Sequence, residues 1–172
     1  MKNKIILNAL FALVFLMANT NTHGQKTDIV EAASKSKDLG TLSVGVIAAD
    51  LTESLKSEGP FTVFAPDNAA FNKLPEGTLE SLLLPESKSR LAEIINFHVV
   101  KGNYDLKTLK QKLTDGNGKI ELTTISGKKI TLFSENNLVK LLDDSGNIAT
   151  ITSNDLLASN GIIHTIDHVV MP

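Results

Sequence analysis

Residues Phe61–Phe71 have the sequence FTVFAPDNAAF, and this stretch decides the fold. Its first four residues are β-branched or aromatic and lie between Pro60 and Pro66, which predicts a short buried strand. Pro66 favours extended backbone in the residue before it, and the carboxylate of Asp67 can accept a hydrogen bond from the backbone N–H of Ala70. The stretch therefore predicts a strand, a rigid corner and a capped helix that begins at Asp67.

Upstream of this corner, apolar residues recur every three or four positions: Leu42, Val46, Ile47, Leu51 and Leu55. This spacing predicts one helix with an apolar stripe that faces a core. Thr41 is predicted to be its N-cap, and Gly59-Pro60 ends it. Downstream, Leu91, Ile94 and Ile95 predict a further helix.

From Gly102 onward the pattern changes to short apolar runs separated by turns. The turn sequences are Asp115-Gly116, Ser126-Gly127, Glu135-Asn136-Asn137 and Asp144-Ser145-Gly146. Runs between such turns are typical of hairpin strands, so this half is predicted to be mostly β, and Asn160-Gly161 is predicted to supply a positive φ for a tight turn into the last strand. Helices in one half and hairpins in the other predict a single α+β domain, with helices packed on an antiparallel sheet or wedge.

The first 24 residues have the pattern of a secretory signal peptide. Lys2 and Lys4 precede a mainly apolar stretch at residues 5–18, and small residues at positions 22 and 24 suit a cleavage site. The apolar stretch is shorter than the roughly 20 residues of a spanning helix, and an uncleaved anchor is the alternative. We expect a signal peptide at residues 1–24 and one domain at residues 25–172 that has no membrane span and is secreted, extracellular or periplasmic, with surface association as an option.

Composition excludes several classes of function. The chain has 172 residues, 42% of them hydrophobic, which is typical of globular proteins. Its formal net charge of −2 gives no overall attraction to phosphates, so we expect no nucleic-acid partner. Cysteine is absent, which excludes disulfides, thiolate metal ligands and cysteine nucleophiles.

Two further stretches carry a family resemblance. Asn160–Asp167, with the sequence NGIIHTID, resembles the second signature of fasciclin-like domains, and Phe61–Phe71 resembles the first. Between them, Ile95–Val100 resembles the family's Tyr-His segment, with phenylalanine in place of tyrosine. The resemblance covers nearly the whole domain and implies a β-wedge flanked by helices. It also implies a secreted or surface-attached module for adhesion and matrix contact.

The resemblance implies two candidate contact segments. The family's adhesive contacts are attributed to the Tyr-His segment and to an acidic-apolar tripeptide, which correspond here to Phe97-His98 and Asp155-Leu156-Leu157. The candidate partner-binding residues are therefore Phe97, His98, Asp155 and Leu156. The alternative interpretation makes Phe97 and Leu157 core residues and His98 a buried histidine with satisfied hydrogen bonds. In that interpretation, Asp155 caps a short helical turn at residues 156–158.

The remaining polar motifs do not predict catalysis or a bound metal. His164 and His168 are spaced as in zinc proteases, but the β-branched residues around them predict a strand, on which their Cα atoms would lie about 13 Å apart. The acidic turn at Asp143–Asn147 lacks the glycine and glutamate of a helix-loop-helix calcium site and is better explained as a hairpin turn. Ser43 lacks the first glycine of a hydrolase elbow. We expect no enzyme activity, no cofactor and no metal.

Two functions remain open. The first is a non-catalytic adhesion or interaction module that binds a cell-surface or extracellular-matrix protein or polysaccharide. The second is a carrier that holds a small apolar ligand in a groove between the helices and the β-wedge, which needs a pocket of roughly 300 Å³ or more. The sequence predicts no particular oligomeric state.

Overall fold

The computed structural model describes residues 27–172, apart from the side chain of residue 154, so the predicted signal peptide at residues 1–24 lies outside the described residues. Within residues 27–172 the helices are α1 (Ile29–Lys35), α2 (Gly40–Ala48), α3 (Thr52–Lys56), α4 (Asn68–Asn72), α5 (Thr78–Leu82), α6 (Lys88–Phe97) and α7 (Leu106–Asp115). A 3-10 turn at Pro85–Ser87 precedes α6. The strands are β1 (Phe61–Pro66), β2 (Val99–Lys101), β3 (Lys119–Thr123), β4 (Lys129–Glu135), β5 (Leu138–Leu142), β6 (Ile148–Ala158) and β7 (Gly161–Ile166).

These strands form one sheet in the order β2-β1-β7-β6-β5-β4-β3. Neighbouring strands are antiparallel, except that β1 runs parallel to β7, with Phe61 beside Gly161. A bridge between Val100 and Thr124 brings the two ends of the sheet together. The predicted α+β fold, with helices against a mainly antiparallel wedge, is confirmed, and the parallel pair is the departure from it.

The corner at Phe61–Phe71 forms as predicted. β1 is buried along its whole length, and α4 begins two residues after Pro66, the last residue of β1. The carboxylate of Asp67 accepts a hydrogen bond from the N–H of Ala70 at 2.6 Å, which satisfies a backbone donor in the first turn of α4. The N–H of Asp67 donates to the carbonyl of Ile166 at 3.1 Å, so the corner is also fixed to the end of β7.

The helix predicted over residues 42–55 is wrong in two respects. It is two helices, α2 and α3, and Asp50 between them has a φ of 59°, which a right-handed helix does not accommodate. Thr41 is not the N-cap, because α2 begins one residue earlier and the N–H of Thr41 donates to Oδ1 of Asn68 at 2.9 Å. The side chain of Asn68, in α4, therefore accepts a hydrogen bond from a backbone N–H in the first turn of α2.

Helix α7 lies in the half that was predicted to be mostly β. The carboxylate of Asp105 accepts a hydrogen bond from the N–H of Thr108 at 2.7 Å, and Leu109 and Leu113 are buried on one side of the helix. An aspartate followed by leucines at helical spacing is the local signal from which α7 could have been predicted.

The turn into β7 differs in detail from the prediction. β6 and β7 are joined by a tight turn, but neither Asn160 nor Gly161 has a positive φ. Position 161 requires glycine for a steric reason, because a Cβ there would lie 2.3 Å from the carbonyl oxygen of Phe61. The side chain of Asn160 accepts from the N–H of Ile29 at 2.9 Å and donates to the carbonyl of Leu55 at 2.8 Å. The second signature therefore connects β7 to α1 and α3.

The core has two main parts. One joins α1, α2, α3 and α6 to the sheet, and its members include Leu39, Leu42, Val63 and Leu91. The other joins α7 to strands β1, β4, β5, β6 and β7, and its members include Phe64, Phe97, Leu109, Leu132 and Leu141. In the part of the chain that the structure describes, no helix has both the length and the apolar character needed to span a bilayer.

Candidate interaction site

Strand β6 carries the acidic-apolar tripeptide, and its pairing with β7 is irregular there. The register shifts between Ile151 and Ser153 and again between Ser153 and Leu156. Asp155 lies in the second irregularity with a φ of 57°, in the left-handed region that few non-glycine residues adopt. Because bulges redirect side chains, this irregularity sets where the tripeptide points.

Two hydrogen bonds fix Asp155. Its carboxylate accepts from the backbone N–H of Leu106 at 2.9 Å, and its own N–H donates to Nδ1 of His164 at 3.4 Å. The predicted helical turn at residues 156–158 is wrong, because these residues belong to β6. Asp155 does cap a helix, but the helix is α7, whose first N–H it satisfies from another part of the fold.

His164 lies in the core and contacts the backbone of Asp155 in the tripeptide. Its side chain is fully buried, and its ring stacks on Phe64 with the ring centroids 5.9 Å apart. Nε2 lies 2.7 Å from the carbonyl oxygen of Tyr104, so Nε2 carries the proton and Nδ1 accepts from Asp155. Burial lowers the pKa of His164, because desolvation disfavours the imidazolium, and the ring is therefore neutral at neutral pH.

Leu156 and Leu157 are exposed, at 44% and 70% of their surface. The alternative prediction that Leu157 belongs to the core is therefore wrong. Leu157 lies at an open cleft of about 640 Å³, whose other walls include Lys56, Glu58 and Asn160. The tripeptide thus presents apolar surface beside charged and polar groups.

Phe97 and His98 are buried, with 0% and 2% of their surface exposed. Nδ1 of His98 donates to the carbonyl of Ile94 at 2.8 Å, and Nε2 accepts from the N–H of Val170 at 3.3 Å. Burial lowers the pKa of His98 to about 4. The interpretation of both residues as satisfied core residues is confirmed, and the structure does not bring them together with Asp155 and Leu156 on the surface.

Of the two histidines of the zinc-protease pattern, His164 lies on a strand, as predicted, whereas the strand ends before His168. His164 belongs to β7, and His168 follows the end of that strand with Nδ1 3.0 Å from a carboxylate oxygen of Asp167. Within residues 27–172, no three or more His, Asp or Glu side chains are grouped so that they could hold a metal ion.

Asp143 has a structural role that extends beyond its own turn. The predicted hairpin turn at residues 143–147 is confirmed, and Oδ1 of Asp143 accepts from the N–H groups of Ser145 and Asn147 at 2.9 and 2.8 Å. Oδ2 accepts from Nδ2 of Asn147 at 2.8 Å and from the N–H of Met171 at 2.9 Å. The carboxylate therefore ties the turn to the C-terminal segment.

A pocket of about 20 Å³ lies between helices α1, α2 and α3 and strands β1 and β7, where the carrier hypothesis places its groove, and Leu42, Val63 and Ile163 are among its lining residues. A second apolar pocket lies among α2, α5 and α6. Leu42, Leu82, Leu91 and Ile94 are among its lining residues, and its volume is about 20 Å³. A drug-sized ligand needs roughly 300 Å³ or more, so these leucines would have to move aside before a ligand could enter.

The fold and the two signatures define a class of protein. The family model of the Fasciclin domain matches residues 37–172, which is most of the chain. The chain belongs to the fasciclin domain family, and the resemblance predicted from its signatures is confirmed.

Relatives from distant organisms share the domain. The chain is 45% identical over 144 residues to Protein sll1483 of Synechocystis sp., which covers 84% of this chain and 73% of that protein. It is 36% identical over 132 residues to transforming growth factor-beta-induced protein ig-h3 of Sus scrofa, covering 76% of this chain but 17% of that protein. This chain therefore corresponds to a small part of the mammalian relative.

A solved structure shares the fold. It is a FAS1 domain pair from the insect cell adhesion molecule Fasciclin I, which this chain matches with a TM-score of 0.59 and 21% sequence identity. The match covers 76% of this chain and 44% of that chain. At this identity the similarity shows the fold alone.

Proposed function

We propose that this protein is a non-catalytic interaction module, secreted or attached to a cell surface, that binds an extracellular protein or polysaccharide through Leu156 and Leu157. The observation that carries the proposal is the exposure of these adjacent leucines on a strand whose backbone is fixed by Asp155. Apolar side chains on a rigid support can be buried by a partner with little further loss of chain entropy.

The family supports this type of function. The solved relative is described as part of an insect cell adhesion molecule, and this chain has the same fold. The signal peptide predicted at residues 1–24 supports export to the compartment in which such contacts are made.

The buried histidines support a non-catalytic function. His98 and His164 each use both ring nitrogens on backbone groups of the fold. Neither ring is therefore available as a general base beside a nucleophile.

The experiment measures how many beads coated with the full chain remain on fixed cell surfaces and on extracellular-matrix preparations after washing. We expect the double variant Leu156→Ser/Leu157→Ser to lower retention by about tenfold or more, since burial of one leucine side chain contributes about 1.5–3 kcal/mol. Melting temperature should remain close to that of the wild type, because both side chains are exposed.

Leu138→Ser and Ile47→Ser are the matched controls, because these side chains are 48% and 69% exposed on β5 and α2. They should retain wild-type adhesion. Equal loss in the controls would show that adhesion follows total surface hydrophobicity, and undiminished adhesion of the double variant would show that the leucines are not the contact. Either result contradicts the proposal.

A further inference from the structure

Helix α7 presents three lysines to solvent. Lys107, Lys110 and Lys112 are exposed, whereas Leu109 and Leu113 of the same helix are buried in the core. The helical period places the leucines on the inner side, Lys107 on the outer side, and Lys110 and Lys112 on opposite flanks of the exposed surface.

Within residues 27–172, nearby carboxylates balance the charge of this outer side only in part: Lys107 interacts electrostatically with Asp105, and Asp155 lies near Lys107 and Lys110. Among residues 27–172, the lysines that form ion pairs with carboxylates are Lys35, Lys88, Lys128, Lys129 and Lys140, and those of α7 are not among them. Nζ of Lys112 lies 5.7 Å from the ring centroid of Tyr104, which steadies the side chain and leaves its charge in place.

The neighbouring sequence strengthens the positive field. Residues 101–119 contain five lysines and two aspartates, although the whole chain has a net charge of −2. Both aspartates form hydrogen bonds to residues of α7. Asp105 accepts from the N–H of Thr108, and Asp115 accepts from Nε2 of Gln111 at 2.8 Å. A local excess of one sign on a chain of the other sign attracts a partner of opposite charge.

A shallow depression of about 500 Å³ lies between two of these lysines, Lys107 and Lys110, and Asp155 of the tripeptide. Its walls are Leu106, Lys107, Lys110, Gln111, Thr114 and Asp155. Ammonium groups here stand beside an amide and a hydroxyl, which can hydrogen-bond to sugar hydroxyls. The carboxylate of Asp155 also lines the depression and accepts from the N–H of Leu106. The depression therefore offers two positive charges, one negative charge and neutral polar contacts, and Asp155 directly precedes the two leucines of the proposed contact in sequence.

We infer that the outer face of α7 binds an acidic polysaccharide that carries carboxylate or sulfate groups. This inference rests on the proposed function, since it names the class of partner. Lys107 and Lys112 are about 7.5 Å apart along the helix axis and about 140° apart around it, so a flexible polymer with repeated charges can contact both where a single ion cannot. The depression has no aromatic ring on which a base could stack and no arginine to hold a phosphate by two bonds, which disfavours nucleic acid.

The test measures binding of the full chain to dextran sulfate and to polygalacturonate, with neutral dextran as the uncharged control. We expect binding to both acidic polymers, none to neutral dextran, and weakening between about 50 mM and about 300 mM salt because screening shortens the range of the charges. The variant Lys107→Gln/Lys110→Gln/Lys112→Gln should bind about tenfold more weakly, since exposed charge contacts are individually weak and act together. Glutamine preserves helix propensity.

The matched control is Lys35→Gln/Lys88→Gln/Lys129→Gln, which removes the same charge at exposed, ion-paired positions on other elements. It should bind within about twofold of the wild type. Equal loss in both triple variants would overturn the inference, because binding would then follow net charge alone. Equal or tighter binding to anionic lipid vesicles or duplex DNA would overturn it as well. Bead adhesion is measured separately. If the chain does not bind the acidic polymers but bead adhesion still depends on the two leucines, this inference is wrong and the proposed function is retained.

Discussion

The carboxylate of Asp155 accepts a hydrogen bond from the backbone N–H of Leu106 at 2.9 Å, which joins the irregular part of β6 to the first turn of α7. The exposed leucines follow Asp155 in β6, and the lysines follow Leu106 in α7. This contact therefore helps to fix the relative position of the two surfaces proposed to meet a partner.

Substitutions at Asp155 should separate its hydrogen bond from its backbone conformation. Asp155→Asn retains a side-chain oxygen and tolerates a φ of 57°, so the free energy of unfolding should change by less than about 0.5 kcal/mol. Asp155→Gly loses the acceptor and should cost about 1 kcal/mol, the usual net contribution of one hydrogen bond. Asp155→Ala loses the acceptor and strains the backbone, and should cost about 2 kcal/mol. Urea denaturation measures the free energy of unfolding of all three variants. An alanine variant as stable as the glycine variant would show that a Cβ at this φ does not strain the backbone.

Gly161→Ala should destabilise the fold strongly. A Cβ at this position would lie 2.3 Å from the carbonyl oxygen of Phe61, and both atoms belong to the paired backbones of β7 and β1. Because neither strand can move without breaking the pairing, we expect a loss of about 3 kcal/mol in the free energy of unfolding.

Gly45→Ala is the matched control for that prediction. Gly45 lies in α2, and its added Cβ would meet Cδ1 of Ile95 at 3.6 Å, an ordinary van der Waals distance. Alanine also has the higher helix propensity, so stability should stay the same or rise by up to about 1 kcal/mol. Similar losses in both variants would show that the close approach at Phe61 does not decide the outcome.

Asp143→Asn should cost about 2–3 kcal/mol in stability although it changes few atoms. The buried carboxylate accepts four hydrogen bonds, two from Asn147 and one each from Ser145 and Met171. An amide has one oxygen, and its NH₂ group would face other donors. Asp144→Asn alters the exposed neighbour in the same turn and should change stability by less than about 0.5 kcal/mol. Equal effects in thermal denaturation would contradict the role assigned to Asp143.

Local signals in the sequence predicted the local parts of this fold. The corner after β1 needs only a proline, an aspartate and the N–H three residues later, and all of these lie within Phe61–Phe71. The hairpin turn at residues 143–147 could be predicted for the same reason. Short-range hydrogen bonds depend on residue types at fixed spacing, which a sequence displays directly.

Polar contacts between distant segments could not be predicted in this way. Asn160 bonds to Ile29, which is 131 positions away, and Asp155 bonds to Leu106, which is 49 positions away. Each side chain was assigned a local role because its true partner becomes a neighbour only after the sheet has formed.

Stability should fall as the pH drops below 6.5, because His98 is neutral and buried in the fold. Its pKa is lowered to about 4 by burial, whereas an exposed histidine in the unfolded chain has a pKa of about 6.5. The unfolded chain therefore takes up the proton first, and the stabilisation present above pH 6.5 is lost progressively down to about pH 4. Between pH 7 and pH 5 this loss should be about 2 kcal/mol. The lowered pKa of His164 acts in the same direction.

The variant His98→Gln isolates this contribution. Its amide does not titrate in this range, so the free energy of unfolding, measured in urea at several pH values, should depend less steeply on pH than in the wild type. The geometry gives the reason for the difference: protonation would make Nε2 of His98 a donor against the N–H of Val170, 3.3 Å away. A slope unchanged in His98→Gln would mean that this ring already binds its proton in the folded state near pH 6.5.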